Sequence, residues 1–220
     1  MTHPHPLTIP APPASIAPAP TLFTWRAGTP MHRVWNPTYA INVFNPGKGV
    51  ARTRFAPIAT PAGEHIPTLY AGETQACAFY ERIFHDVPLA PASMRTVHVN
   101  DLRGLAAGTV APTRDLALGQ LFRPDLERLG LTRALVHSDA DQYESSAAWA
   151  AALHRDFAQL DGLAWTSNRA DPAIAVVLFG DRCGDVIAAG ADADDVLTSA
   201  SLLKVLNDCA ERAGIRIVRA

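Results

Sequence analysis

The chain has 220 residues, enough for one domain with a full core and short of the roughly 250–300 residues at which single cores stop growing. Of these residues 48% are hydrophobic and 18% charged, with a formal net charge of −2, the composition of an ordinary globular protein. The 19 Lys and Arg are scattered among 21 acidic residues without a basic patch or aromatic interleaving, so nucleic acid is not expected as a direct partner.

Cys77, Cys183 and Cys209 are odd in number and lack CxxC spacing, which argues against a disulfide framework and a zinc site, and no metal is expected. They read as reduced, buried thiols. No apolar signal region opens the chain, and no stretch approaches the roughly 20 apolar residues of a membrane span. A cytoplasmic protein without membrane contact is expected.

In chain order, residues 1–20 hold seven prolines and no charge. They read as a flexible Pro/Ala-rich tail, extended and at most loosely packed, ahead of one domain spanning 21–220. LFTWR and MHRVWN are candidate strands, and the Pro/Gly clusters between Pro37 and Gly63 predict long ordered loops, which in a compact domain are usually functional. IPTLYA predicts a strand over 66–71. Thr74 is a plausible N-cap for a helix from Gln75 to Asp86. RTVHV alternates as a strand, and LFRPDLERLG reads as a turn and short helix stopped at Gly130.

Ser145 to Leu160 is Ala/Leu-rich and predicts a helix, followed by strands GLAWTS and AIAVVLF, the second apolar enough to be buried on both faces. A helix over Asp194–Ala213, stopped by Gly214, and a strand IRIV close the chain. The mixed order predicts an α+β domain.

Glu81 carries the chemical interest. On a helix its neighbours three and four positions away are Cys77, Ala78, Phe84 and His85, so its carboxylate should be partly buried. A buried carboxylate needs a cation or hydroxyl donors, and Arg33 and Arg54 are the candidates. The residue pattern alone equally fits a structural ion pair, and Tyr70 alone equally fits a core tyrosine.

HRVWNPTYAINVFNPGKGVARTRFAP, followed by TLYAGETQACAFYERIFHD, resembles the RES domain. The family pattern is met at Arg33, Arg54-Phe55, Tyr70 and Glu81. QYESSAAWAAALH resembles the family's Tyr-x-x-Ser/Thr-x-x-Trp-Ala segment, with Ser146 as the matching hydroxyl, and DGLAWTSNRADPAIAVVLF resembles its closing segment. The family commonly has Gly-Arg-Phe where this chain has Arg52-Thr53-Arg54-Phe55; Phe55 selects Arg54, with Arg52 as the alternative.

The resemblance implies a fold like that of ADP-ribosyltransferases and the role of a toxin that consumes NAD by hydrolysis or phosphorolysis, held in check by an Xre-type antitoxin. NAD would be substrate, and no cofactor is expected. Glu81, Arg54 and Tyr70 would be catalytic, with Arg33 and Ser146 binding substrate. Homo- or hetero-oligomers stay open. So do three other readings: transfer of ADP-ribose to a protein, a non-catalytic nucleotide- or protein-binding module, and a hydrolase pairing Ser146 or Ser167 with His85, His98, His137 or His154. The last lacks a Gly-x-Ser-x-Gly elbow.

Overall fold

The computed structural model describes residues 8–48, 52–88 and 95–219. Strands Leu22–Trp25 (β1) and Met31–Trp35 (β2) form where the sequence predicts them. Among the described residues from Pro37 to Gly63, Ile58–Ala59 (β3) pairs with His65–Ile66 (β4) and the rest is ordered loop. Thr68–Gly72 (β5) leads by a tight turn to Gln75–Phe79 (α1), and the Thr74 hydroxyl accepts the Cys77 N–H at 3.0 Å as the expected N-cap.

The helix expected to run to Asp86 does not stay α-helical. Tyr80–Phe84 forms a π-helical turn that contains Glu81. Such a turn holds one extra residue, which rotates the following side chains by roughly 100° relative to an α-helix, and it recurs at functional sites.

Next come Thr96–His98 (β6), Val99–Leu102 (α2), Ala106–Pro112 (β7) and Leu116–Gln120 (β8). Arg123–Arg128 (α3), Ala134–His137 (α4) and Tyr143–Asp156 (α5) follow. Gly162–Thr166 (β9), Ile174–Phe179 (β10), Gly180–Cys183 (α6), Ile187–Asp195 (β11), Ala200–Arg212 (α7) and Arg216–Val218 (β12) complete the order. The last long helix therefore begins at Ala200 and not at Asp194. Asp194 and Asp195 instead end β11, whose largely exposed residues are held by backbone pairing to β7 at the sheet edge, which requires no apolar alternation.

Eight strands build the main sheet in the order β1-β8-β9-β10-β5-β2-β7-β11. β8 and β9 run parallel and the other neighbours antiparallel. β10 lies between β9 and β5 and is buried on both faces as expected. Val177 and Phe179 pack into the core beneath the helices, while Val176 and Leu178 belong to the cluster of Trp25, Met31 and Trp35 on the opposite face. Gly162 is required where it stands, because any side chain there would enter the Val177 carbonyl of β10.

Residues 8–20 carry no helix or strand, but loose packing does not describe them. Ile16 is buried and its N–H donates to Asp156 Oδ2 at 2.8 Å, and Trp149 Nε1 donates to the Pro10 carbonyl at 2.6 Å. Proline-rich chain cannot pair with itself, so the outward side chains of α5 supply its partners.

Candidate active site

β5, the π-turn, the loop 52–56 and the end of β9 converge on the helix-covered face of the sheet. Glu81 sits on the π-turn with its side chain 12% exposed, partly buried as expected. Its Oε2 accepts from Arg54 Nη1 at 3.1 Å and its Oε1 from Ser167 Oγ at 2.7 Å. Of the two candidate cations, Arg54 is the one that reaches it. Arg54 is 8% exposed, whereas Arg52 points outward to Glu144 at 2.7 Å, so Phe55 identifies the inward arginine correctly.

Ser167 is fully buried just beyond β9. The sequence reading considers it only as a hydrolase nucleophile, although the closing DGLAWTS segment of the family pattern carries it. Neither Ser167 nor Ser146 is hydrogen-bonded to a histidine, so the geometry offers the hydrolase reading no Ser–His pair.

Tyr70 lies beside this pair, but its hydroxyl is engaged elsewhere. It accepts the Phe55 N–H at 3.1 Å and lies 3.0 Å from Thr53 Oγ1. Burial pushes the phenol up to about 12, with the Thr53 hydroxyl working against that shift, so it stays protonated at neutral pH. Its ring meets Trp165 edge-on at 6.3 Å, and Phe55 meets the same indole at 5.0 Å.

Ser146 is fully buried within α5, and its Oγ donates to the Arg54 carbonyl, with the Tyr143 and Gln142 carbonyls at 3.3 and 3.4 Å. The hydroxyl expected to bind substrate is thus hydrogen-bonded to backbone carbonyls.

Arg33 is not brought to Glu81. On β2 it shares a face with Met31 and Trp35, which pack in the cluster on the side of the sheet away from Glu81, and its Nη1 donates to the Ile41 carbonyl and to the Val43 carbonyl at 3.0 Å. Burial, and then the nearby Arg82 cation, push it down to about 10, so it remains charged at neutral pH.

A second chain of polar groups borders Glu81. Tyr143 donates to Asp86 Oδ1 at 2.7 Å, and Asp86 Oδ2 lies 2.9 Å from His85 Nε2. Burial pushes the His85 imidazole down, Asp86 opposing, which favours the neutral ring. Three nitrogens around this site, Arg54 Nε, His85 Nδ1 and Trp165 Nε1, are buried without a hydrogen-bond partner among the described residues. Buried polar atoms normally find partners, so a cluster of unpaired ones is a mark of a binding site. A groove of about 370 Å³, lined among others by Glu73, Ala76, Tyr80, Asp171 and Arg212, includes neither Glu81 nor Arg54 in its lining. Among the described residues no group of three or more His, Cys, Asp or Glu is arranged to hold a metal ion.

Chemically the site is a nearly buried carboxylate held by one guanidinium and one hydroxyl. Comparison with solved structures finds a chain of the M. tuberculosis MbcT–MbcA toxin–antitoxin complex, with a TM-score of 0.58 and 16% sequence identity, covering 84% of this chain and 92% of that one. That likeness establishes the shared fold. A search of curated proteins finds no match. The family model of the RES domain matches residues 24–198, a span holding the two sheet strands and the π-turn that carry Tyr70, Ser167 and Glu81 as well as the Arg54 loop. The chain belongs to the RES-domain family.

Proposed function

We propose that this protein is the toxin of a toxin–antitoxin pair and that it consumes NAD by cleaving the nicotinamide–ribose bond. The observation that carries the reading is Glu81: a carboxylate 12% exposed, on a π-turn, fixed by Arg54 and Ser167. Cleavage breaks the bond between the ribose C1′ and the pyridinium nitrogen. The electron pair leaves with the ring, which departs as neutral nicotinamide, so no general acid is needed. Positive charge develops on the sugar, as at other glycosidic centres, and a fixed carboxylate is the group that stabilises it. Arg54 has donors beyond the one used on Glu81, with a geometry suited to a pyrophosphate oxygen. Water or phosphate would then take up the ADP-ribosyl group.

The likeness to a toxin–antitoxin complex supports a protein partner, and an Xre-type antitoxin that blocks the site is the partner the family resemblance suggests. No helix among the described residues is long and apolar enough to cross a membrane, which is compatible with action on the cytoplasmic NAD pool.

Incubating the purified chain with NAD and measuring free nicotinamide tests the activity directly. Release by the wild type, abolished in Glu81→Gln, supports it; intact NAD with folded protein refutes it. A structural ion pair is the competing reading, favoured by the 3.1 Å Arg54–Glu81 bond itself. It predicts that Glu81→Gln lowers the melting temperature by leaving a buried arginine unpaired, with any turnover unchanged.

A further inference from the structure

Arg54 is the second residue of a tight turn. Thr53 N–H donates to the Ala56 carbonyl at 2.8 Å, and Ala56 N–H returns to the Thr53 carbonyl at 3.3 Å. Side chains from two other elements grip the Arg54–Phe55 peptide of this turn, one at its N–H and one at its carbonyl. From β5, the Tyr70 hydroxyl accepts the Phe55 N–H at 3.1 Å; from α5, the Ser146 hydroxyl donates to the Arg54 carbonyl. Thr53 Oγ1 stands 3.0 Å from Tyr70 and 3.4 Å from the Ala56 carbonyl.

Proton counting orients this network. A phenol has one proton to donate, and so does each aliphatic hydroxyl. With Thr53 O–H donating to the Ala56 carbonyl at 3.4 Å, Phe55 N–H gives to Tyr70 and Tyr70 O–H gives to Thr53 Oγ1. Ser146 spends its proton on Arg54. In that arrangement every hydroxyl proton of the network is spent on the turn and none is turned toward a ribose or a phosphate.

We infer that Tyr70, Thr53 and Ser146 are positioning residues that act on the reaction through Arg54, clamping the Arg54–Phe55 peptide so that the guanidinium is held against Glu81 and toward the substrate. This rests on the reading of the site as an NAD-cleaving centre, and it reassigns Tyr70 and Ser146 from substrate contact to support. The physical reason for such a clamp is the sensitivity of catalysis to placement, since an error of about 1 Å at a charged group costs on the order of a hundredfold in rate. A loop arginine lacks the stiffness of a residue within a strand or helix, and three hydrogen bonds to rigid elements restore it.

Kinetics on the full chain test the clamp. Tyr70→Phe keeps the ring and removes the hydroxyl. KM for NAD is expected to rise by about two- to tenfold, the size of one hydrogen bond, with kcat changing less. The double variant Tyr70→Phe/Arg54→Lys is expected to be no worse than Arg54→Lys alone, because both changes spoil the same group. Losses that multiply would show that Tyr70 touches substrate independently and would overturn the inference. Thr53→Val, which removes one hydroxyl from a half-buried position, repeats the test if Tyr70→Phe does not fold.

A stability cycle decides the clamp separately from NAD chemistry. If Tyr70 sets the Arg54–Glu81 pair, Glu81→Gln lowers the melting temperature less in the Tyr70→Phe background than in the wild type. Additive shifts overturn the clamp whether or not NAD is cleaved. No NAD turnover by the wild type together with non-additive shifts would instead sink the proposed function and leave the clamp standing.

Discussion

At the scale of single residues, Glu81 and its two partners should separate by kinetics. Glu81→Gln keeps the shape and removes the charge, so kcat is expected to fall by ~10²–10³, the scale of losing one electrostatic stabiliser, with a smaller effect on binding. Ser167→Ala removes one hydrogen bond to Oε1 and leaves the carboxylate, so a fall of about three- to tenfold is expected. Arg54→Lys should raise KM, since an ammonium cannot reproduce the guanidinium fork on a pyrophosphate. Steady-state NAD cleavage by the three variants checks the order, and an equal loss in Ser167→Ala and Glu81→Gln would contradict it. His137 makes a different prediction. Burial, followed by Arg133 and Arg54, pushes its imidazole down to about 4. The unfolded chain takes up that proton near 6.5, the ordinary value of a histidine, so stability is lost as pH falls from about 6.5 toward 4. His137→Gln should flatten the fall in melting temperature over this window, as thermal unfolding at pH 7, 6 and 5 would reveal.

Among the elements, α1 with its π-turn and α5 do the positioning. A Cβ added at Gly72 would stand 2.9 Å from the Ala78 backbone nitrogen and 2.9 Å from Cys77 Sγ, so α1 rests directly on the end of β5. Gly72→Ala must push α1 and the π-turn outward. Overpacking of this kind costs about 1–3 kcal/mol, and a lower melting temperature with reduced turnover is expected. Turnover unchanged despite a lower melting temperature would mean that Glu81 tolerates movement of its own helix. The first turns of α5 join three segments: Tyr143 holds Asp86 after the π-turn, Glu144 meets Arg52, and Ser146 holds Arg54. The same helix therefore fixes both halves of the ion pair.

For the whole molecule, residues 8–20 act as a strap over α5. Ile16 is buried, and Arg155 and Arg128 donate to the Ala14 and Ala19 carbonyls at 3.0 and 2.7 Å. Removing residues 1–20 is expected to lower the melting temperature by several degrees, because losing Ile16 and the Trp149 partner costs on the order of 2 kcal/mol or more. Differential scanning of the full and truncated chains measures this; an unchanged midpoint would show that the strap adds nothing.

Legible in the chain are the α+β class, β1, β2, β5 and β10, the Thr74 cap and the partial burial of Glu81, and the family resemblance adds the choice of Arg54 over Arg52. These follow from local patterns of apolar spacing, capping and turn residues, together with motif order, all of which a linear chain displays. What the chain does not display is that Arg33 faces the other side of the sheet, that Ser146 serves Arg54, that Ser167 joins Glu81 and that β11 pairs at an edge. Each of those depends on which segments meet in space. Ser167 and Glu81 are 86 positions apart, and Ser146 and Arg54 are 92 apart. The direction of an individual hydroxyl or guanidinium at such a meeting is set by the backbone groups brought to it, and no local period in the sequence records them.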